Sequence, residues 1–225
     1  MRPTILFLTQ VLPYPLDSGP KVRAYHVMCK LAERADVHLV SFVREDDPPD
    51  AVAHLRVLCA SVSTHPMRRS VGADAGHLVR SMLGGKSFIV ARDEVDGMHA
   101  LIERVASEVC PDAIHADQLW MAQYARPVDA AFKVLDQHNA VFRIFERLAD
   151  NDRSPVRSWM LRREARRLAR YEVEAFDDFD HVLFVTDEDR DDLLKALRAI
   201  GREPRDVSTT VIPISIDVAE RPMLA

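Results

Sequence analysis

The sequence predicts an α/β fold built on a doubly wound, mainly parallel sheet. Short continuous apolar runs, the mark of strands buried on both faces, alternate along the chain with segments whose apolar residues recur at helical spacing. The first strand, helix and strand fit within about forty residues, as one right-handed βαβ unit requires. No internal repeat, low-complexity segment or second domain interrupts the alternation.

Residues 4–11 (TILFLTQV) form the first apolar run. Pro20 stands at a first helical position, and Ala24, Val27, Met28, Leu31 and Ala35 continue at helical spacing. Residues 37–43 (VHLVSFV) are the second strand, 49–58 a helix and 60–65 a short strand. Helices are expected over 75–83 and 93–109, separated by Gly84-Gly85 and an irregular stretch. Pro111 ends the second of these, residues 112–116 (DAIHA) are a strand, 119–125 a short helix, and 132–136 (FKVLD) a strand. A long helix is predicted from Pro155 to Phe176, with Ser154 as its N-cap. Strand 181–185 (HVLFV) runs into Thr186-x-x-Asp189, a capping box with Asp in place of Glu or Gln, which opens a helix to about residue 200. Residues 209–212 are the last strand, and Pro213 and Pro222 bracket an irregular tail.

Composition excludes several classes. The net charge of −5 gives no global reason to expect a nucleic-acid partner. Three dispersed cysteines, Cys29, Cys59 and Cys110, with no C-x-x-C, argue for a reducing compartment and against a disulfide framework or a zinc site. The apolar run after Met1-Arg2-Pro3 is too short for a signal peptide's core, and no window is long enough to span a membrane. The expectation is a cytoplasmic protein.

In a doubly wound sheet, ligands bind beyond the carboxyl ends of the strands. After the first strand, LPYPLDSGPKVRAYH (12–26) brings Gly19, Pro20, Lys21, Arg23 and His26 to the start of a helix. Gly19 permits close backbone approach, and the helix N-terminus offers N–H groups and a positive dipole end to an anion. A solvated strand-to-helix turn explains the same residues, and the single glycine is no G-x-G-x-x-G fingerprint. Asp117 and Gln118 follow the strand at 112–116, preceded by His115, whose simplest role is structural. Asp136, Gln137, His138 and Asn139 follow the strand at 132–136. A histidine there can bind a sugar hydroxyl or transfer a proton, and an Asx-type turn is the alternative. Capping accounts for the acids after Thr186.

The helix at 155–176 carries Trp159 near its start and Arg157, Arg162, Arg163, Arg166, Arg167 and Arg170, a broad cationic face. Such a face suits anionic lipid headgroups or polyanions, or pairs with Glu164, Glu172 and Glu174 at helical spacing. Phosphate-loop, zincin, nucleophile-elbow and C-x-x-C signatures are all absent from the sequence.

Ordered segments along nearly the whole chain resemble the N-terminal half of bacterial family 4 glycosyltransferases of GT-B architecture, of the exopolysaccharide and cell-envelope type. They are PYPLDSGPKVRAYH, HADQLWMAQY, LDQHNAVFRIFERLA with LRREARRLARYEVEAFDDFDHVLFVTDEDRDDL, and VIPISID. The resemblance implies a Rossmann-like first domain over residues 1–213, with 214–225 beginning a linker to a donor-binding domain that this chain lacks. It implies transfer of a sugar from a nucleotide-sugar to a glycan or lipid-linked acceptor, with retention, without a metal or other cofactor, and with peripheral contact at the inner face of the membrane. By the same resemblance Gly19 approaches the donor phosphate and His138 lies near the donor sugar as the catalytic candidate. From their places after the strands, Pro20, Lys21, Arg23, His26, Asp117, Gln118, Asn139 and Thr186 are further substrate-side candidates, and the charge pattern makes Trp159, Arg162, Arg166 and Arg170 candidates for membrane contact. Ser18-Gly19 replaces the family's two glycines, and Ile214 and Ser215 replace its usual Asn and Gly. Half a cleft cannot orient the sugar and stabilise the departing diphosphate, so the chain alone is expected to be inactive. A stand-alone glycan- or anionic-lipid-binding module is the competing non-enzymatic expectation, and an unrelated nucleotide-dependent enzyme on the same sheet is a third.

Overall fold

A computed structural model describes residues 2–67, 86–202 and 207–214. The elements in chain order are β1 (Thr4–Thr9), α1 (Gly19–Ala32), β2 (Asp36–Val43), α2 (Ala51–Leu58), β3 (Ser61–Pro66), α3 (Phe88–Arg92) and α4 (Asp96–Val109). They continue with β4 (Ala113–Asp117), a 3-10 turn (Leu119–Met121), α5 (Ala122–Ala125), β5 (Phe132–Gln137), α6 (Val141–Asn151), α7 (Pro155–Asp177), β6 (His181–Phe184), α8 (Asp187–Ala199) and β7 (Ser208–Val211). Among the described residues the strands form one seven-stranded sheet in the order β3-β2-β1-β4-β5-β6-β7, parallel throughout. The order reverses between β1 and β4. The expected α/β, Rossmann-like doubly wound architecture is therefore the observed one.

Each sheet face buries its own core. Phe7, Val37 and Leu39 pack against Ala24 and Met28 of α1 and Leu55 of α2. Leu6, Leu8, Ile114, Leu135, Val182 and Phe184 pack on the other face with Met98, Leu168, Val173, Phe176, Leu193 and Leu197. Each such side chain stabilises the fold by about 1.5–3 kcal/mol when fully buried. The alternation along β1, in which Phe7 faces one core and Leu6 and Leu8 the other, is why its sequence reads as an unbroken apolar run.

Two helix starts follow the sequence rules. Ser154 accepts the Arg157 N–H at 3.4 Å, and Thr186 accepts the Asp189 N–H at 3.1 Å. Three sequence expectations change. The stretch before Asp93 is not irregular but holds α3, whose Ser87 cap accepts the Val90 N–H, and Asp93 closes that helix so that α4 begins at Asp96. Helix α6 has no counterpart in the sequence expectations: Ala140 at its N-cap has no polar side chain to signal the start, and the capping comes from Glu172, thirty-odd residues away. Two of the glutamates expected to pair with the arginines of α7 have other partners as well. Glu164 accepts from Ser87 and the Ile89 N–H, and Glu172 caps α6. Arg157 and Arg162 pair instead with Asp152 and Asp150 at the end of the preceding helix. The helix expected over 75–83 lies outside the described residues.

Candidate functional site

The site forms where β1, β4 and β5 end, at the switch in strand order. Register aligns Thr9 with Asp117 and Asp117 with Asp136 across the sheet. Period-2 alternation then puts His115 and Asp117 of β4, and Asp136 and His138 at the end of β5, on the face covered by α1. Phe7 stacks flat on His115, ring centroids 4.4 Å apart.

Arg23 of α1 closes over this row. Its Nε lies 3.0 Å from both Asp136 carboxylate oxygens, and its Nη2 donates to Oδ1 at 2.8 Å. Its Nη1 donates to the Ile212 carbonyl just past β7. Arg23 is 3% exposed and Asp136 is fully buried. This corrects one sequence expectation: Arg23 does not stand in the first loop ready for an anion, but ties α1 to β5 and to the end of β7.

His138 Nε2 lies 3.0 Å from Asp117 Oδ1, and the other ring nitrogen has no protein partner among the described residues. Burial disfavours the imidazolium, but the Asp117 charge and hydrogen bond outweigh it, so the pKa of His138 is raised. His115 behaves oppositely. Burial is its dominant influence, Asp136 and Asp117 offset it only in part, and its pKa is lowered. One row thus holds a histidine that favours its proton and another that sheds it.

Several features mark the site as more than packing. Gln118 has φ 70° and ψ 154°, a backbone region tolerated by glycine and costing other residues roughly 1–3 kcal/mol. Its N–H is fixed on the Asp136 carbonyl at 2.9 Å. The Thr9 hydroxyl and His115 Nε2 are buried without hydrogen-bond partners among the described residues, the latter 3.8 Å from Asp136 Oδ2. Ligand atoms of His115, Asp117 and Asp136 come within 4.8 Å of one another, a spacing a cation can bridge, although Arg23 and His138 already engage the two carboxylates.

The remaining candidates spread out. Gly19 and Pro20 are exposed at the start of α1; space is open around Gly19, no side chain caps the helix and its first turn holds no acid. Lys21 lies beside Asp17 at 3.1 Å and Asp47 at 3.8 Å. His26 is half-buried with its ring edge-on to Tyr25. Asn139 is exposed, and its carbonyl accepts from the Gln137 side chain. Thr186 serves as the α8 cap. Trp159, Arg162, Arg166 and Arg170 are exposed on α7, away from the row.

Sequence reasoning missed the supports of the His138 segment. Glu172 of α7, fully buried, accepts from Gln137 Nε2 at 2.6 Å, from the Phe142 N–H at 2.7 Å and from the Val141 N–H at 3.2 Å. Asp189 of α8 accepts the Ala140 N–H at 2.9 Å. Two carboxylates thereby hold the backbone that follows His138, at Ala140, Val141 and Phe142, and Glu172 also holds the side chain of Gln137 before it. Burial pushes the Glu172 carboxyl up to about 8, against the pull of its three donors, with Asp189 adding to the rise.

No protein-family model matches the chain, and no curated protein matches its sequence. Solved structures do match its fold. HepE of Anabaena in complex with UDP aligns over 96% of this chain and 45% of its own, with 14% identity and a TM-score of 0.53. The same protein with UDP and glucose gives 14% identity and 0.54 over the same shares. UGT2 of Phytolacca americana, complexed with UDP-2-fluoro-glucose and pterostilbene, aligns over 96% of this chain and 55% of its own, with 13% identity and 0.52. The chain therefore shares the Rossmann-like fold found in GT-B glycosyltransferases and spans about half the length of these structures.

Proposed function

We propose that this chain is the acceptor-side, N-terminal domain of a two-domain glycosyltransferase, which moves a sugar from a nucleotide-sugar to a glycan or lipid-linked acceptor with retention. The observation that carries the proposal is the Arg23–Asp136 and His138–Asp117 row beyond the carboxyl ends of β1, β4 and β5, at the switch in strand order where such sheets bind nucleotides. Its support from comparison is that proteins of the same fold were solved with UDP and sugars. Their low identity leaves the family 4 and exopolysaccharide assignment resting on the sequence segments.

In this proposal the uncapped start of α1, with Gly19 and Lys21, meets the donor diphosphate through backbone N–H groups and the helix dipole. Asp117 fixes the ring of His138, which hydrogen-bonds the donor sugar and shares charge with the departing diphosphate. No cofactor is invoked. The opposite wall of the cleft belongs to a second domain over which the nucleotide spreads, and residues 1–213 alone do not turn over. The acceptor side faces an anionic membrane surface. Val156, Trp159 and Met160 at the start of α7 and Ile144 and Leu148 on α6 leave large apolar surface exposed, and Arg162 and Arg166 are exposed further along α7.

The test is sugar transfer from a panel of UDP-sugars, with this chain alone and with a polypeptide extended through a second Rossmann unit. The extended polypeptide should transfer, its His138→Ala variant should lose kcat by about 100-fold or more, and the chain alone should be silent. Transfer by the chain alone, or full turnover by the His138→Ala variant, overturns the proposal.

A further inference from the structure

On the opposite face of the sheet from the His138 row, a cavity of about 530 Å³ opens between α3, α5 and α7. That volume lies in the range of small-molecule sites. Four cationic side chains, Lys86, Arg126, Arg167 and Arg170, line it against two carboxylates, Glu94 and Glu174. Lys86 lies 4.0 Å from Glu94 and Arg126 2.7 Å from Asp178, so the lining is cationic by count and partly neutralised by pairing.

Two side chains of the lining also carry buried donor atoms without an acceptor among the described residues, the Tyr171 hydroxyl and Arg126 Nη2. The Arg126 guanidinium lies 5.0 Å from the centre of the Tyr171 ring, so the two present their donors together. Arg126 Nε is 2.7 Å from Asp178 Oδ2 but out of hydrogen-bonding line, which fixes the arginine from behind without using Nη2. Burial raises the Tyr171 phenol to about 12, so at neutral pH it keeps the proton it would donate. Leaving a buried donor unpaired is costly, and an anionic acceptor is the partner that recovers the cost best.

We infer that this cavity is an anion-binding site for a phosphate-bearing small molecule, with Arg126 and Tyr171 as its buried donors and Arg170 at its mouth. Arginine forks match phosphate oxygens geometrically, and the phenol supplies a third, neutral donor. The site does not depend on the glycosyltransferase proposal, because it uses neither the His138 row nor the first loop.

Isothermal titration calorimetry of the chain with inorganic pyrophosphate, against sodium chloride at matched ionic strength, tests it. Pyrophosphate should bind saturably, and the Tyr171→Phe and Arg170→Gln variants should each weaken binding about tenfold. Arg104→Gln, exposed on α4, should leave that binding event intact, and Lys21→Gln tests whether the anion sits at the start of α1 instead. Circular dichroism confirms that each variant is folded; Tyr171→Phe keeps the ring and Arg170 is at the surface, so both should be. If pyrophosphate does not bind, or if Lys21→Gln abolishes binding while Arg170→Gln and Tyr171→Phe retain it, the inference is overturned. In the second case the anion occupies the start of α1, which favours the function proposed above.

Discussion

Replacing Glu172 should expose how the His138 segment is held. In Glu172→Ala the Phe142 and Val141 N–H groups and the Gln137 amide lose their shared acceptor at once. Buried donors left unpaired cost about 1–3 kcal/mol each, and some relax onto water, so the expected loss is roughly 3–5 kcal/mol. The acid also makes stability depend on pH. Its folded pKa is about 8 against an ordinary 4.5, so between those values the folded state holds a proton that the unfolded chain has released. Stability therefore falls as pH rises across that window, at up to about 1.4 kcal/mol per pH unit and with a ceiling on the order of 5 kcal/mol. Glu172→Gln stays neutral and lacks this contribution. Urea denaturation at pH 5, 6.5 and 8, read as the difference between the parent chain and Glu172→Gln, isolates it from the histidines that titrate nearby. Amide exchange at residues 141 and 142 reports the local release. A Glu172→Ala variant within 1 kcal/mol of the parent, or a parent-minus-Gln difference that stays flat or rises with pH, would refute the reasoning.

Breaking the Arg23–Asp136 pair by Arg23→Met or Asp136→Asn should cost about 3–5 kcal/mol, because one buried charge is left uncompensated. The double change Arg23→Met with Asp136→Leu should recover at least part of that loss in the same denaturation assay. Asp117→Asn should lower the His138 pKa, since burial then meets less opposition, as read from imidazole proton shifts in NMR titration. With Asp117 present, the raised pKa means that the stabilisation from His138 is complete below its unfolded value of 6.5 and fades as pH rises through the folded value. Flotation with vesicles containing anionic phosphatidylglycerol should be reduced severalfold by Trp159→Ser combined with Arg166→Glu, and equal flotation of both proteins would remove the membrane contact.

The sequence by itself determined the winding. Apolar runs such as LFL and HVLF separated by helical spacing leave a parallel sheet as the arrangement that buries them, and Ser154 and Thr186 announced their helices through local hydrogen bonds. It also named His138, Asp117 and the start of α1, because polar residues directly after a buried run mark a strand's carboxyl end. A sharper signal lay in the same letters: His115-x-Asp117 and Asp136-x-His138 are mirror spacings that put all four side chains on one face once the two strands adjoin. That adjacency is a matter of strand order, and only the tertiary structure decided it. It turned Arg23 inward to Asp136, and it brought Glu172 and Asp189 from distant helices to hold the residues around His138. Capping by a neighbouring side chain can be seen in a few consecutive residues. Capping from thirty or more residues away depends on where two helices pack, and the local sequence of α6 contains no trace of it.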